Sequence, residues 1–275
     1  MSKNLILILV PLIAILLFFQ NCSDGVNFSQ KPGNSSGLEG AENFNIPPIE
    51  DPVNNPSDSG SGDSPATVCN PLNPEDTCVG VTPQMGLLGR LYYMTPLQHQ
   101  SLFNNDLRNA LIDDYRDFGI LVPADIVMTA INVSPRSWES GFFLSTGEQV
   151  KKEDGENLFE WFHLDMSGFI ELPVGSYQFA TLSDDGMRVT LNDEVIINHD
   201  GAHAPAYRCA QGVTTFVSGE KKRIRVQYFQ GPRTQIAMVL LVRPLTDSNS
   251  QLDDQNCSDF RDDLQSPPDG ALTRF

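Results

Sequence analysis

Apolar positions first gather at the N-terminus, where Leu5 to Phe19 is an apolar run of fifteen residues behind Lys3. At ~1.5 Å per residue this run falls short of a ~30 Å hydrocarbon core. A basic start and a short greasy run read as a secretory signal peptide over residues 1–21. From residue 22 to 84 the pattern dissolves into Gly33-Asn34-Ser35-Ser36-Gly37, Pro47-Pro48 and Ser57-Asp58-Ser59-Gly60-Ser61-Gly62-Asp63. Such a stretch buries too little apolar surface to fold, and reads as a flexible acidic stem. Its poorest part, residues 23–66, has an r.m.s. reach of roughly 35–40 Å.

The pattern returns at Met85. Phe103, Leu107, Leu111, Tyr115 and Phe118 recur at three- and four-residue spacing, which predicts one amphipathic helix over 100–118, stopped at Gly119. After Ala124 the period becomes two. Phe159 and Trp161 alternate with polar residues, as do Met187, Val189 and Leu191, and then Ile224, Val226 and Tyr228. Asn192-Asp193 predicts a tight hairpin turn, and Ala237 to Val242 a central strand. Many short strands between turn residues predict an all-β sandwich or barrel over 85–245, with one short helix. Residues 246–275 read as a polar acidic tail.

Composition narrows the function. Thirty-five acidic residues against eighteen basic ones give a net charge of −17. A chain of that charge repels phosphate backbones, so nucleic acid is excluded as a partner. Five cysteines are too few for a disulfide scaffold. The apolar run ends Phe19-Gln20-Asn21-Cys22 with no Ala-x-Ala site, and this resembles a bacterial lipoprotein signal in which Cys22 is lipidated. The alternative is an uncleaved anchor with Cys22 a plain thiol. The resemblance implies a lipid-anchored protein of the bacterial envelope, and Ser23, rather than Asp, implies the outer membrane. Cys69, Cys78, Cys209 and Cys257 then form an even set in an oxidising compartment. Close spacing makes Cys69–Cys78 the simplest bridge and leaves Cys209–Cys257, with the crossed pairings open.

Gly86-Leu87-Leu88-Gly89-Arg90-Leu91-Tyr92-Tyr93, Gly168-Phe169-Ile170, Gly175-Ser176-Tyr177-Gln178-Phe179 and Ser183-Asp184-Asp185-Gly186-Met187-Arg188-Val189 follow one another in order. Val195-Ile196-Ile197-Asn198 and Ile224-Arg225-Val226-Gln227-Tyr228 continue the series. The series resembles the protective-antigen, or PA-14, domain family over about 86–243. The resemblance implies a β-barrel-like sandwich found in bacterial toxins, glycosidases, proteases and yeast flocculins. Several members bind carbohydrate, and some flocculin-type members do so through calcium. It implies a recognition module and no particular reaction.

Within that resemblance Asp184 and Asp185 carry the chemistry. Calcium takes six to eight oxygen ligands, and carboxylates supply the charge. In the calcium-binding flocculins the matching pair is joined by a cis peptide, and the metal also meets sugar hydroxyls. A later loop there adds an Asn and backbone carbonyls. The matching loop here is Gln230-Gly231-Pro232-Arg233, so Gln230 is the expected third ligand, one methylene longer than Asn. Arg233 places a positive charge in the same loop and is expected among the residues that bind the ligand and set specificity. The competing reading makes the aspartates turn caps that accept backbone N–H bonds.

Other residues are weaker candidates. His199 and His203 flank Asp200 in a loop that would line a ligand groove. Trp138, in a loop-like stretch, is the expected sugar-stacking ring, whereas Trp161 is expected in the core. No nucleophile sits in strand–turn–helix context, and the Gly33–Gly37 match to a hydrolase elbow has no strand before it. Adjacent aspartates do not flank a glycosidic bond at the ~5–9 Å that cleavage needs. The chain is therefore expected to be a non-enzymatic module that recognises a glycan or cell-surface polysaccharide, with calcium as its cofactor. The alternative is a protein–protein interaction module with a purely structural aspartate pair.

Overall fold

The computed structural model describes residues 70–72, 84–103, 111–124, 126–144 and 147–275. The signal segment, Cys22, Cys69, Cys78 and Leu107 lie outside the described residues.

Among the described residues the chain builds thirteen strands and two short α-helices. The strands are β1 (Leu87–Tyr93), β2 (Ile120–Leu121), β3 (Ile126–Met128), β4 (Asn132–Arg136), β5 (Phe162–Ile170), β6 (Gly175–Asp184) and β7 (Met187–Leu191). They continue with β8 (Glu194–His199), β9 (Ala206–Cys209), β10 (Thr214–Phe216), β11 (Lys222–Gln230), β12 (Ile236–Leu245) and β13 (Leu272–Thr273). Helices α1 (Pro96–Phe103) and α2 (Ile112–Phe118) lie between β1 and β2.

Two antiparallel sheets result. One runs β2-β1-β5-β11-β7-β8, with β3 also on β1 and β13 also on β5. The other runs β10-β6-β12-β4, with β9 also on β6. Period-two alternation explains the layering. In β7, Met187, Val189 and Leu191 are buried while Arg188 and Thr190 are not. The inward residues of both sheets meet in one cluster that includes Leu91, Leu164, Met166, Phe179, Val226, Met238 and Leu240. The expected all-β sandwich is thus present. Asn192 and Asp193 turn β7 into β8 with φ of 46° and 70°, the left-handed pair that a two-residue hairpin turn needs.

Four expectations change. The single helix over 100–118 is two helices, because Leu111 is extended (φ −122°, ψ 160°). Two carboxylates start α2 there: Asp114 accepts the Leu111 N–H at 2.9 Å, and Asp200 accepts the Ile112 N–H at 3.0 Å. Leu111 and Phe118 of the supposed apolar stripe are exposed. Phe159 and Trp161 precede β5 rather than forming a strand, and Trp161 has φ 60°. Leu72, assigned to the stem, is fully buried, and Arg136 donates to its carbonyl at 2.6 Å.

The fourth change is the tail, which is woven into the domain. β13 pairs with β5, and Cys257 is bonded to Cys209. The Arg243 side chain is buried, donates to Asn249 Oδ1 at 2.8 Å and Gln178 Oε1 at 2.9 Å, and lies over the Phe260 ring at 4.2 Å. A buried guanidinium needs such partners, and the tail supplies several of them.

Candidate functional site

Strand β6 ends at Asp184 and β7 begins at Met187, so Asp185-Gly186 is all that joins the two sheets at this point. The Asp184–Asp185 peptide is cis. Both side chains are 5% exposed. Gly186 is required by close approach: a Cβ there would lie 2.4 Å from the Phe229 ring.

The two carboxylates live differently. Asp185 Oδ1 accepts the His203 N–H at 3.0 Å, and Oδ2 accepts the Gly231 N–H at 2.7 Å. It ties the loop after β8 to the loop after β11. Burial raises its pKa, while those two N–H bonds pull the other way. Among the described residues the Asp184 carboxylate has no hydrogen-bond donor. Burial first, and the Asp185 charge second, push it up to about 7. A carboxylate on a residue 5% exposed, with no protein donor and beside a second carboxylate, is a site that a positive partner would stabilise.

Gln230 stands at the expected position and is fully buried. The Tyr228 hydroxyl lies against both its Oε1 and the Asp184 carbonyl. Its Nε2 donates to the carbonyls of Pro232 at 3.1 Å and Gln235 at 2.8 Å. The amide therefore braces its own loop, and only one lone pair of Oε1 is unspent. Arg233 is turned away: its guanidinium lies 5.2 Å above the Phe159 ring, and its backbone N–H donates to Glu160 at 3.0 Å.

His199 and His203 come together, with rings stacked at 3.8 Å. Both ring nitrogens of His203 face backbone carbonyls, of Ala204 at 2.9 Å and His199 at 3.3 Å. The His199 Nδ1 lies 3.4 Å from Ser183 Oγ, and burial pushes this imidazole down to about 3, helped by the charges of His203 and Arg208. The histidines thus support the turn beneath Asp185. Among the described residues, no three His, Cys, Asp or Glu side chains are placed to hold a metal ion by themselves.

The tryptophans exchange roles. Trp138, the expected sugar-stacking ring, is 1% exposed and packs edge-on to Phe162 at 5.5 Å. An indole lodged in the core offers no face to a ligand, so this assignment is corrected. Trp161, expected in the core, is half-buried beside the aspartates. Its backbone N–H donates to the Gly231 carbonyl at 3.2 Å, and its ring lies tilted against His99, with centroids 4.0 Å apart. A Cβ on Gly231 would lie 3.6 Å from the Trp161 ring and 2.7 Å from Asp185 Oδ2, so Gly231 is what lets ring and carboxylate share one place. Only the order Phe159-Glu160-Trp161 before a strand hinted at this, and the same order fits a core strand.

Residues 153–255 match the PA14 domain family model. The matched segment contains the aspartate pair, both stacked histidines and the Gln230 loop. Solved structures resemble the chain at low identity and with TM-scores below 0.5. A PA14 domain of the MpAFP antifreeze protein is 16% identical, with 70% of this chain and 94% of that chain covered at a TM-score of 0.47. A PA14 sugar-binding domain from an RTX adhesin is 17% identical over 70% of this chain and 99% of that one, at 0.44. An anti-sigma factor domain-containing protein is 16% identical over 70% of this chain, at 0.44, and this chain spans 48% of its length. No curated protein matches the chain.

Proposed function

We propose that this chain is a non-catalytic envelope lipoprotein whose PA14-like domain recognises carbohydrate through a calcium ion held by Asp184 and Asp185. One observation carries the reading: Asp184 is 5% exposed, and its carboxylate has no donor among the described residues and lies beside the charge of Asp185. A hard divalent cation is the partner such oxygens lack. The donor set fits in part. Asp184 and Asp185 supply carboxylate oxygens, the free lone pair of Gln230 Oε1 lies in the same loop cluster, and sugar hydroxyls and water would complete the shell. Calcium, when bound, would neutralise the pair and present open coordination positions to vicinal hydroxyls. Trp161 stands where a sugar C–H face would stack. Lipid at Cys22 and the stem over 22–69 would hold the domain clear of the outer membrane.

A thermal melt with millimolar calcium and then with excess chelator tests the ion site, because a ligand that binds only the folded state raises its Tm. A calcium-dependent rise that vanishes in Asp184→Asn/Asp185→Asn, together with loss of glycan-array binding, is the expected result. A wild-type melt indifferent to calcium would sink the reading. It would favour a protein-interaction module, in which Asp185 serves only to fasten His203 and Gly231. Metabolic labelling with a fatty acid tests the anchor, and label retained in Cys22→Ser would refute it.

A further inference from the structure

The outward face of the eight-stranded sheet carries a groove of about 420 Å3 across β5, β11, β7 and β8, within the size range of ligand sites. It shares no lining residue with the aspartate pair or its hydrogen-bond partners. Three arginines line it, and each is held by carboxylates. Arg225 grips Asp165 through Nε at 2.7 Å and Nη2 at 2.5 Å. Arg188 donates to both oxygens of Asp113 at 3.2 Å and to Asp200 at 2.9 Å. Arg223 pairs with Asp193. Three guanidiniums against four carboxylates leave no surplus positive charge to attract an anion, while the guanidiniums repel a cation.

What the groove does offer is neutral hydrogen bonding at fixed positions. Gln227 lies at its floor, 2% exposed, with Nε2 buried and unpartnered. A buried donor without an acceptor is costly, and a ligand oxygen reached by a small turn of the amide would relieve it. Arg225 Nη1, Ser167 Oγ and Thr190 Oγ have no protein partner among the described residues. The bidentate pair with Asp165 holds Arg225, and Asp113 with Asp200 holds Arg188, before any ligand arrives, which lowers the ordering cost of binding. Phe275, 72% exposed and edge-on to Phe169 at 5.1 Å, lines the groove, as does Val195, itself 51% exposed. Uncharged hydroxyl chemistry beside an exposed aromatic ring matches a sugar ring, whose hydroxyls ring its edge and whose C–H groups form its faces. We infer that this face is a second carbohydrate surface, independent of metal, taking a neutral polysaccharide.

The test is affinity electrophoresis of the full chain in detergent and excess chelator, through gels holding dextran, laminarin, glucomannan or, as an anionic control, alginate. The expected result is retardation by at least one neutral polymer that persists in Asp184→Asn/Asp185→Asn. It should weaken about tenfold in Phe275→Ala/Arg223→Ala, two exposed positions whose loss spares the core. The double aspartate variant separates this site from the calcium site, because each should survive loss of the other. Retardation by alginate alone, abolished by salt, would overturn the assignment of a neutral ligand. Undiminished retardation of Phe275→Ala/Arg223→Ala would overturn its location. Retardation by none of the polymers would overturn the proposal in favour of a protein partner.

Discussion

Replacing Asp184 by Asn tests the electrostatic reading of the site most directly. The carboxyl is raised from 3.8 to about 7, chiefly by burial. A carboxylate whose folded pKa lies above its unfolded value binds more protons in the folded state between those two values. Stability must therefore fall as pH rises from about 4 towards 7. The rise from 3.8 to about 7 corresponds to at most ~4 kcal/mol. Solvent at the mouth of the site screens part of this, so about 2 kcal/mol is the working figure. Asn has the same shape and no charge to desolvate. In chelator, Asp184→Asn should accordingly exceed the wild type by about 2 kcal/mol at pH 7 and match it near pH 4. For a domain of this size that is a Tm gain of about 4–8 °C. Urea melts at pH 4, 5.5 and 7 in chelator measure it, and calcium should reverse the ranking at pH 7 by stabilising the wild type alone. A variant no more stable than wild type at pH 7 in chelator would refute the claim that Asp184 is an uncompensated buried charge.

Four further outcomes follow from the packing. Gly231→Ala would push a methyl to 2.7 Å from Asp185 Oδ2, and should abolish the calcium-dependent Tm rise while the circular dichroism spectrum stays that of a β domain. Trp161→Ala should weaken calcium-dependent glycan binding about tenfold yet keep the calcium response, which glycan titration and melting separate. Trp138→Ala should cost about 3–5 kcal/mol of stability in denaturant melts, the usual loss for a large buried ring, and leave any glycan affinity of the folded fraction untouched. Cys209→Ser opens a bridge that closes 48 residues and should cost about 2–4 kcal/mol by the same assay.

The alternation of apolar and polar residues determined the layers, because a strand with one face inward must repeat every two residues. Met187, Val189 and Leu191 are buried as their spacing requires, and Asn192-Asp193 turns as its residue types allow. The order of turn and strand segments located the aspartate pair, since Ser183-Asp184-Asp185-Gly186 is contiguous. Contiguity is what a sequence displays best.

Tertiary structure decided everything that depends on neighbours distant in the chain. The local sequence pointed the wrong way for both tryptophans: Trp138 sits in a loop-like stretch yet is buried against Phe162, and Trp161 alternates like a core strand yet lies with Gly231 beside Asp185. The break at Leu111 is set partly by Asp200, 88 residues away from the Ile112 it caps. The tail reads as solvated because it is polar, yet Arg243 in β12 needs partners once buried, and Asn249 and Phe260 of the tail are among those that meet it. The groove over Gln227 exists only because four strands align their outward residues. Periodicity along one strand specifies which face a side chain takes, and the sheet specifies what that face then meets.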